Sequence, residues 1–534
     1  MSEDTVLWWQ SGTVYQIYPR SFMDSNADGI GDLAGITSKL DYLGWLGVEA
    51  IWLSPFYPSP MADFGYDISN YVDVDPIFGN LADFDRLLEA AHSRNIKLLV
   101  DFVPNHTSDE HAWFKESRSS RDNPKSDWYI WTDPKPDGSP PNNWISNFGG
   151  SAWQFDEVRQ QYYLHLFDVK QPDLNWRNPE VVQAMLDVMR FWFDRGVDGL
   201  RIDVVNLLFK DEALRDNPPN PNWKEGDPGF HQQLRTYTED LPDMDGIILE
   251  MRKVADAYPE RVLIGEIWLP YERLVHYYGA ELNGLHLPFN FQLLLLDDWQ
   301  AESVRQLVES YETALPEGAW PNWVLGNHDK SRVATRLGQT RSRLAQMLLL
   351  TLRGTPTLYY GDELGMVDVK IPPELARDPQ EKGSPGFGRD PGRTPMQWDA
   401  SPDAGFSAPG VTTWLPLAPD YEKVNVDAEK EDPASMLAFV RLLLALRNAN
   451  PALNSGSYRS IESSAAACFV YERAGAGKRF LVALNFSDQP QTVSINDAET
   501  SQGRIVISTR TGREGIVNLS GLELDAAEGV VVEL

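Results

Sequence analysis

Three short segments, far apart in the chain, each carry a carboxylate directly after a run that reads as a buried strand. They are Gly199-Leu200-Arg201-Ile202-Asp203, Val262-Leu263-Ile264-Gly265-Glu266 and Trp323-Val324-Leu325-Gly326-Asn327-His328-Asp329. Each apolar run lies between helix-like stretches, as a parallel strand of a βαβ unit does. Parallel strands that end in acids gather those acids at the carboxyl edge of one sheet or barrel, where such folds keep their active sites. Convergent carboxylates suit cleavage of a glycosidic bond: one attacks or stabilises the sugar, and one held protonated releases the leaving group.

Strand-like runs at residues 14–18, 50–53, 96–102, 199–203, 262–266, 286–291, 322–325 and 355–359 alternate with helical patterns at 36–46, 81–94, 180–194 and 246–257. Eight alternations predict an α/β fold, a (β/α)8 TIM barrel. The rhythm breaks over residues 107–176, rich in Pro, Asn, Asp, Gly and Trp, which reads as a small domain inserted after the third strand. A second irregular stretch covers 361–433, and a last helix is expected over 434–447. From residue 454 short alternating strands predict a C-terminal antiparallel β domain. The expected division is therefore 1–106 and 177–453 for the barrel, 107–176 for the insert and 454–534 for the β domain.

The chain has 534 residues, 78 Asp+Glu against 47 Lys+Arg and a net charge of −31, which argues against nucleic acid or an anionic membrane as partner. No apolar run approaches the roughly 20 residues of a membrane span. The single cysteine, Cys468, excludes an internal disulfide framework and fits a reducing compartment. The opening Met1-Ser2-Glu3-Asp4-Thr5 has neither the basic nor the apolar part of a signal peptide. A cytoplasmic enzyme acting on a neutral small substrate, as a monomer or weak homo-oligomer, is the expectation.

Five motifs in this order, Asp101-Phe-Val-Pro-Asn-His106, Gln171-Pro-Asp-Leu-Asn175, Gly199-Leu-Arg-Ile-Asp203, Gly265-Glu266 and Asn327-His-Asp329, resemble the α-amylase family of retaining glycoside hydrolases. Within it they are similar to the oligo-1,6-glucosidase and α-glucosidase branch. The resemblance runs from Trp8-Trp9 into the final β domain. It implies an exo-acting α-glucosidase that releases glucose from short α-glucosides. Asp203 would be the nucleophile, kept ionised by Arg201. Glu266 would be the general acid/base, its pKa raised by burial and neighbouring acids. Asp329 would stabilise the transition state.

The resemblance further implies that His106 and His328 hydrogen-bond sugar hydroxyls and that Tyr66, in Asp63-Phe64-Gly65-Tyr66-Asp67, offers a face to the glucose ring. Asp63 with Arg389, or else Arg393, would close the non-reducing end. Phe148 and Phe167 of the insert would pack on the ring or form the insert's own core. Val204, directly after Asp203, would line the leaving-group space and favour α-1,6 bonds, unless the insert sets linkage instead. None of the 18 tryptophans is assigned a function.

Asp24, Asn26, Asp28, Ile30 and Asp32 alternate oxygen donors around Gly29, a spacing that wraps one hard cation, with the Ile30 carbonyl as a ligand. Gly35 stands where an EF-hand has its bidentate Glu, so the loop is not an EF-hand. The resemblance implies one structural Ca2+ or Mg2+ and no organic cofactor. A metal-free Asx turn is the alternative. Two rival functions share the scaffold. A glucosyltransferase or isomerase forming trehalose or isomaltulose-type products would use the same three acids, although no Arg-Leu-Asp-Arg segment is present. A non-catalytic transporter heavy chain would need a membrane span and could lose the acids.

Overall fold

The computed structural model describes residues 6–495 and 500–534. Eight strands pair in parallel around a nearly closed barrel: Val14–Ile17, Ala50–Leu53, Lys97–Phe102, Gly199–Ile202, Val262–Gly265, Leu287–Pro288, Asn322–Val324 and Thr355–Tyr359. In the sheet the seventh and eighth precede the first, and the remaining strands follow in chain order to the sixth. The strands are buried on both faces, which is why they read as continuous apolar runs rather than alternating ones. Trp52, Leu99, Ile264, Phe289 and Val324 fill the barrel interior, while a larger cluster joins the outer strand faces to the helices.

Two expectations shift. The sixth strand, expected over 286–291, pairs only at Leu287 and Pro288. Proline cannot donate to a ladder, and no ladder joins this strand to the seventh. The Asn322 side chain bridges the seam instead, donating from Nδ2 to the Pro288 carbonyl and accepting the Asn290 N–H at 2.9 Å. The helix expected over 36–46 is two helices, Leu33–Ser38 and Leu40–Leu46, meeting at Lys39. Thr37 and Ser38 bond back to the Leu33 and Gly35 carbonyls there, the competition with helix that such hydroxyls offer.

Within 107–176 a helix, Ala112–Ser119, accompanies a three-stranded antiparallel sheet of Trp131–Thr132, Gln161–Leu164 and Trp153–Asp156. Its Trp144, Trp153, Leu164 and Leu166 pack on Val204 and Leu207, just beyond the fourth barrel strand. After the helix Met436–Ala449, six antiparallel strands between Ser457 and Glu533 form the main C-terminal sheet.

Two buried arginines tie the chain together where the barrel meets that sheet, Arg447 from the preceding helix and Arg473 from the sheet itself. Arg447 donates to the carbonyls of Leu350 (3.2 Å), Gly354 (2.7 Å) and Leu453 (3.0 Å). Arg473 donates to those of Thr351 (2.6 Å) and Ser457 (3.0 Å). Burial pushes Arg447 down to about 10 and Arg473 to about 9, so both stay charged at neutral pH. Arg447→Met strands several buried carbonyls, each costing about 1–3 kcal/mol. It should lower the thermal midpoint by several degrees while leaving the rate at moderate temperature near wild type. An unchanged melting curve would show that the carbonyls find other donors.

Candidate active site

The fourth barrel strand sends Arg201 into the barrel mouth, where its guanidinium is buried. Nη1 reaches Asp101 Oδ1 at 2.8 Å and Asp203 Oδ1 at 2.6 Å, and Nη2 reaches Glu266 Oε2 at 2.7 Å. Its plane lies 4.9 Å from the Trp52 ring centroid, the geometry of a cation–π contact. One cation therefore serves three carboxylates from three adjacent strand ends. Asp203 is accordingly less well compensated than a private Arg201–Asp203 pair would make it. Burial and the Glu266 carboxylate push it well above the usual carboxylate range, against the pull of Arg201. Asp203 and Glu266 converge on the same guanidinium, one on Nη1 and the other on Nη2. Asp101 is raised by burial to about 6 despite Arg201.

Glu266 has a donor on each oxygen. Oε2 accepts the Val204 backbone N–H at 2.9 Å as well as Arg201, and Oε1 accepts Trp268 Nε1 at 2.7 Å. Val204 reaches its position with φ 35° and ψ 44°, in the left-handed region. For a β-branched residue this is strain of the kind found at functional sites. Its side chain packs in the insert's apolar cluster.

Asp329 sits among cations. Burial works to raise it, but His328, Arg389, Arg393 and Arg201 together hold it well below the usual carboxylate range. Burial pushes His328 down to about 3, so at neutral pH the guanidiniums carry that effect. Arg389 Nη1 and Arg393 Nη2 stand 3.3 and 3.1 Å from Asp329 Oδ1. Arg389 Nη2 also binds Asp63 Oδ1 and Asp378 Oδ1, each at 2.6 Å. Asp63 thus meets Arg389, whereas Arg393 turns inward to the His328 carbonyl at 2.7 Å. Burial raises Asp63 to about 6, opposed by Arg389.

Tyr66 stacks on His328 with ring centroids 5.3 Å apart and planes 3° from parallel, and its hydroxyl lies 2.7 Å from His328 Nε2. Gln16 meets the other ring nitrogen at 2.7 Å. His106 Nε2 contacts the Tyr66 carbonyl at 3.1 Å and the Gln171 side chain, which also donates to Asp63 at 3.1 Å. Burial lowers His106 to about 4, so this ring is neutral. Phe167 packs 5.1 Å from His106, and Phe148 lies under Arg389 and against Phe167. All thirteen candidate catalytic and sugar-binding residues except Val204's side chain thus face one network.

The loop from Asp24 to Asp32 lies apart from this network. Asp24 accepts from the backbone of Asn26, Ala27 and Gly29 and from the Ser407 hydroxyl. Asn26 and Asp28 each accept from the amide two residues on. Asp32 accepts from Ser25 and caps a helix through Gly35 N. Gly29, at φ 86°, is required because a Cβ would stand 2.1 Å from the Thr412 carbonyl. Among the described residues no group of three or more His, Cys, Asp or Glu side chains stands in ligating geometry.

Residues 16–456 match the family model described as the alpha amylase catalytic domain. The chain belongs to the alpha-amylase family. It is 43% identical to a probable alpha-glucosidase of Rhizobium meliloti (strain 1021), over 91% of this chain and 90% of that protein. It is 39% identical to the oligo-1,6-glucosidase of Parageobacillus thermoglucosidasius, over 92% of each. The crystal structure of the alpha-glucosyl transfer enzyme XgtA superposes with a TM-score of 0.91 at 43% identity, covering 99% of this chain and 100% of that one. As an alpha-amylase family member the protein is a glycoside hydrolase, and the acids described above sit at its barrel mouth.

Several residues of this alpha-amylase family site carry no signal of their own in the sequence. Asp101 was visible in a motif but not as a shared partner of Arg201. Asp378, which grips Arg389 three times through Nε, Nη2 and the backbone N–H, lies in the irregular stretch 361–433. Trp268 stands two residues after Glu266, a spacing that could have flagged it.

The shared cation generates a test. Without Arg201, the buried Asp101, Asp203 and Glu266 face one another unneutralised. A carboxylate whose folded pKa is raised holds its proton longer folded than unfolded, so stability falls as pH rises past the unfolded value of about 4. Wild type already has that sign through Asp101 and Asp203. Arg201→Met should steepen the fall between about pH 4 and 8, read as urea midpoints. Parallel pH curves for variant and wild type would show that Arg201 does not hold these charges.

Proposed function

We propose that the protein is a retaining, exo-acting α-glucosidase that frees glucose from the non-reducing end of short α-glucosides through a covalent glucosyl-enzyme. The observation that carries this reading is the convergence of Asp203 and Glu266 on one guanidinium, at 2.6 and 2.7 Å from its two terminal nitrogens, which holds the two carboxyls close together. Retaining pairs lie about 5–5.5 Å apart, whereas inverting pairs need roughly 6.5–9.5 Å to admit a water. Asp203 attacks the anomeric carbon while Glu266 protonates the departing glycosidic oxygen, and the C1–O bond breaks. Glu266, now ionised, takes a proton from water as that water displaces Asp203, restoring the α configuration. Asp329, held anionic by Arg389 and Arg393, grips hydroxyls of the distorted sugar. The Asp63–Arg389–Asp378 network supports exo action, because this ion cluster closes the side of the site beyond a single glucose.

Transfer to a sugar acceptor is the second reading, favoured by the likeness to XgtA. It differs only in what reaches the glucosyl-enzyme. The heavy-chain reading is less favoured, because a non-catalytic chain has no need for three acids to converge on one guanidinium. Proton NMR on maltose and isomaltose tests the proposal. α-Glucose should be the first-formed product, and Asp203→Asn and Glu266→Gln should each lower turnover by several orders of magnitude with unchanged melting. First-formed β-glucose would overturn retention, and oligosaccharides released from internal starch bonds would overturn exo action.

We also read the Asp24–Asp32 loop as the seat of one Ca2+ or Mg2+. Its donors are all oxygen, which suits a hard cation. Asp28 Oδ2 and the Ile30 carbonyl take no hydrogen bond among the described residues. The Ser25 and Ser407 hydroxyls, which rotate freely, could yield their places on Asp32 and Asp24 to an ion. Binding to the folded state alone stabilises it, so a chelator should lower the melting temperature more than the rate at moderate temperature. Unchanged melting and no metal by elemental analysis would make the loop a plain Asx turn.

A further inference from the structure

The environment of Glu266 assigns its two oxygens unequal duties. Oε2 has both lone pairs occupied, by the Val204 N–H at 2.9 Å and Arg201 Nη2 at 2.7 Å. Oε1 has one donor, the Trp268 indole N–H at 2.7 Å. A carboxyl oxygen has two lone pairs, so the only lone pair left for a proton is the second one of Oε1. The oxygen that holds and releases the proton is therefore the one whose orientation Trp268 sets.

Trp268 is itself firmly held. Its ring stacks on Phe291 with centroids 4.1 Å apart and planes 15° from parallel. Phe291 packs 5.5 Å from Phe289, a member with it of the barrel-interior cluster against which Trp268 packs. The Lys330 ammonium, next in the chain to Asp329, lies 5.2 Å from the Trp268 ring centroid. A rigid aromatic column thus rises from the barrel interior to a single N–H aimed at the acid.

We propose that Trp268 is a positioning residue for the reaction, whose indole N–H fixes Glu266 Oε1 as the proton-bearing oxygen and aims it at the leaving group. The proposal rests on the reading of Glu266 as general acid. As the glycosidic C–O bond breaks, the proton passes from Oε1 to the leaving oxygen. The carboxylate left behind then has Trp268, Val204 and Arg201 all donating to it, and charge-assisted bonds of this kind strengthen as the charge develops.

The test uses leaving groups that differ in their need for a proton. Maltose must have its leaving oxygen protonated, whereas α-glucosyl fluoride expels an anion that needs little help. Trp268→Phe, in the full chain, should lower kcat/KM on maltose by roughly 10- to 100-fold, part of the 10²–10⁴ that a positioned acid supplies. On the fluoride kcat/KM should stay within about threefold, since little of that general-acid contribution is at stake there. Replacing Trp268 by benzothienylalanine, which keeps the shape and the Phe291 stack but lacks the N–H, should reproduce the pattern and guards against misfolding of the first variant. Equal losses on both substrates would mean a merely structural role, and full maltose activity in either variant would overturn the proposal. Glu266→Gln reports on the underlying reading separately. If its loss does not depend on the leaving group, the acid assignment fails rather than the role of Trp268.

Discussion

One buried guanidinium organises this site. Arg201 brings carboxylates from the ends of the third, fourth and fifth barrel strands within 2.8 Å of a single cation. Three buried carboxylates around one positive charge cannot all be ionised cheaply, because each is desolvated and each repels the others. Burial and the Glu266 carboxylate accordingly raise Asp203 well above the usual carboxylate range, against the pull of Arg201. Arg201 also lies on Trp52, so the cation that sets the chemistry is packed into the aromatic interior of the barrel. The fold and the reactivity meet in that one side chain.

A second charge cluster works in the opposite sense. Around Asp329 two guanidiniums, Arg389 and Arg393, converge on one carboxylate oxygen, and this acid is held well below the usual carboxylate range. The two clusters follow different strands: Asp203 and Glu266 end the fourth and fifth, and Asp329 follows the seventh. Tyr66 connects them: its hydroxyl touches Asp101 at 3.1 Å on one side and His328 at 2.7 Å on the other. Acids of the same chemical type are thereby pushed apart in proton affinity, which separates their roles.

The barrel was legible because its strands are buried on both faces and each carries its acid at a fixed offset from an apolar run. Residues that follow strand ends, such as Asp203, Glu266 and Asp329, could be found that way. Arg389 could be found only through a motif, and its partner Asp378 not at all, because loop residues meet by tertiary folding that no local period encodes. The sixth strand was overread: His286–Phe291 is apolar enough for a strand, but Pro288 and the Asn322 bridge keep it from pairing with the seventh. The proton balance of Asp203 was also hidden, since Arg201 two residues away suggests a private ion pair. Only the folded strands show that the guanidinium is shared three ways.

Val204 ties the fourth strand end to the insert. Its amide donates to Glu266 Oε2, which requires the backbone to turn sharply into φ 35°. A glycine would adopt that angle without the 1–3 kcal/mol that such strain costs, by about the usual measure, but would forfeit the apolar contact with Trp144, Trp153 and Leu164 of the insert. Valine instead ties the position of the acid to the position of the insert. Movement at that seam therefore moves Glu266 and the insert's apolar cluster together. The insert and the residue after Asp203 are one packed unit.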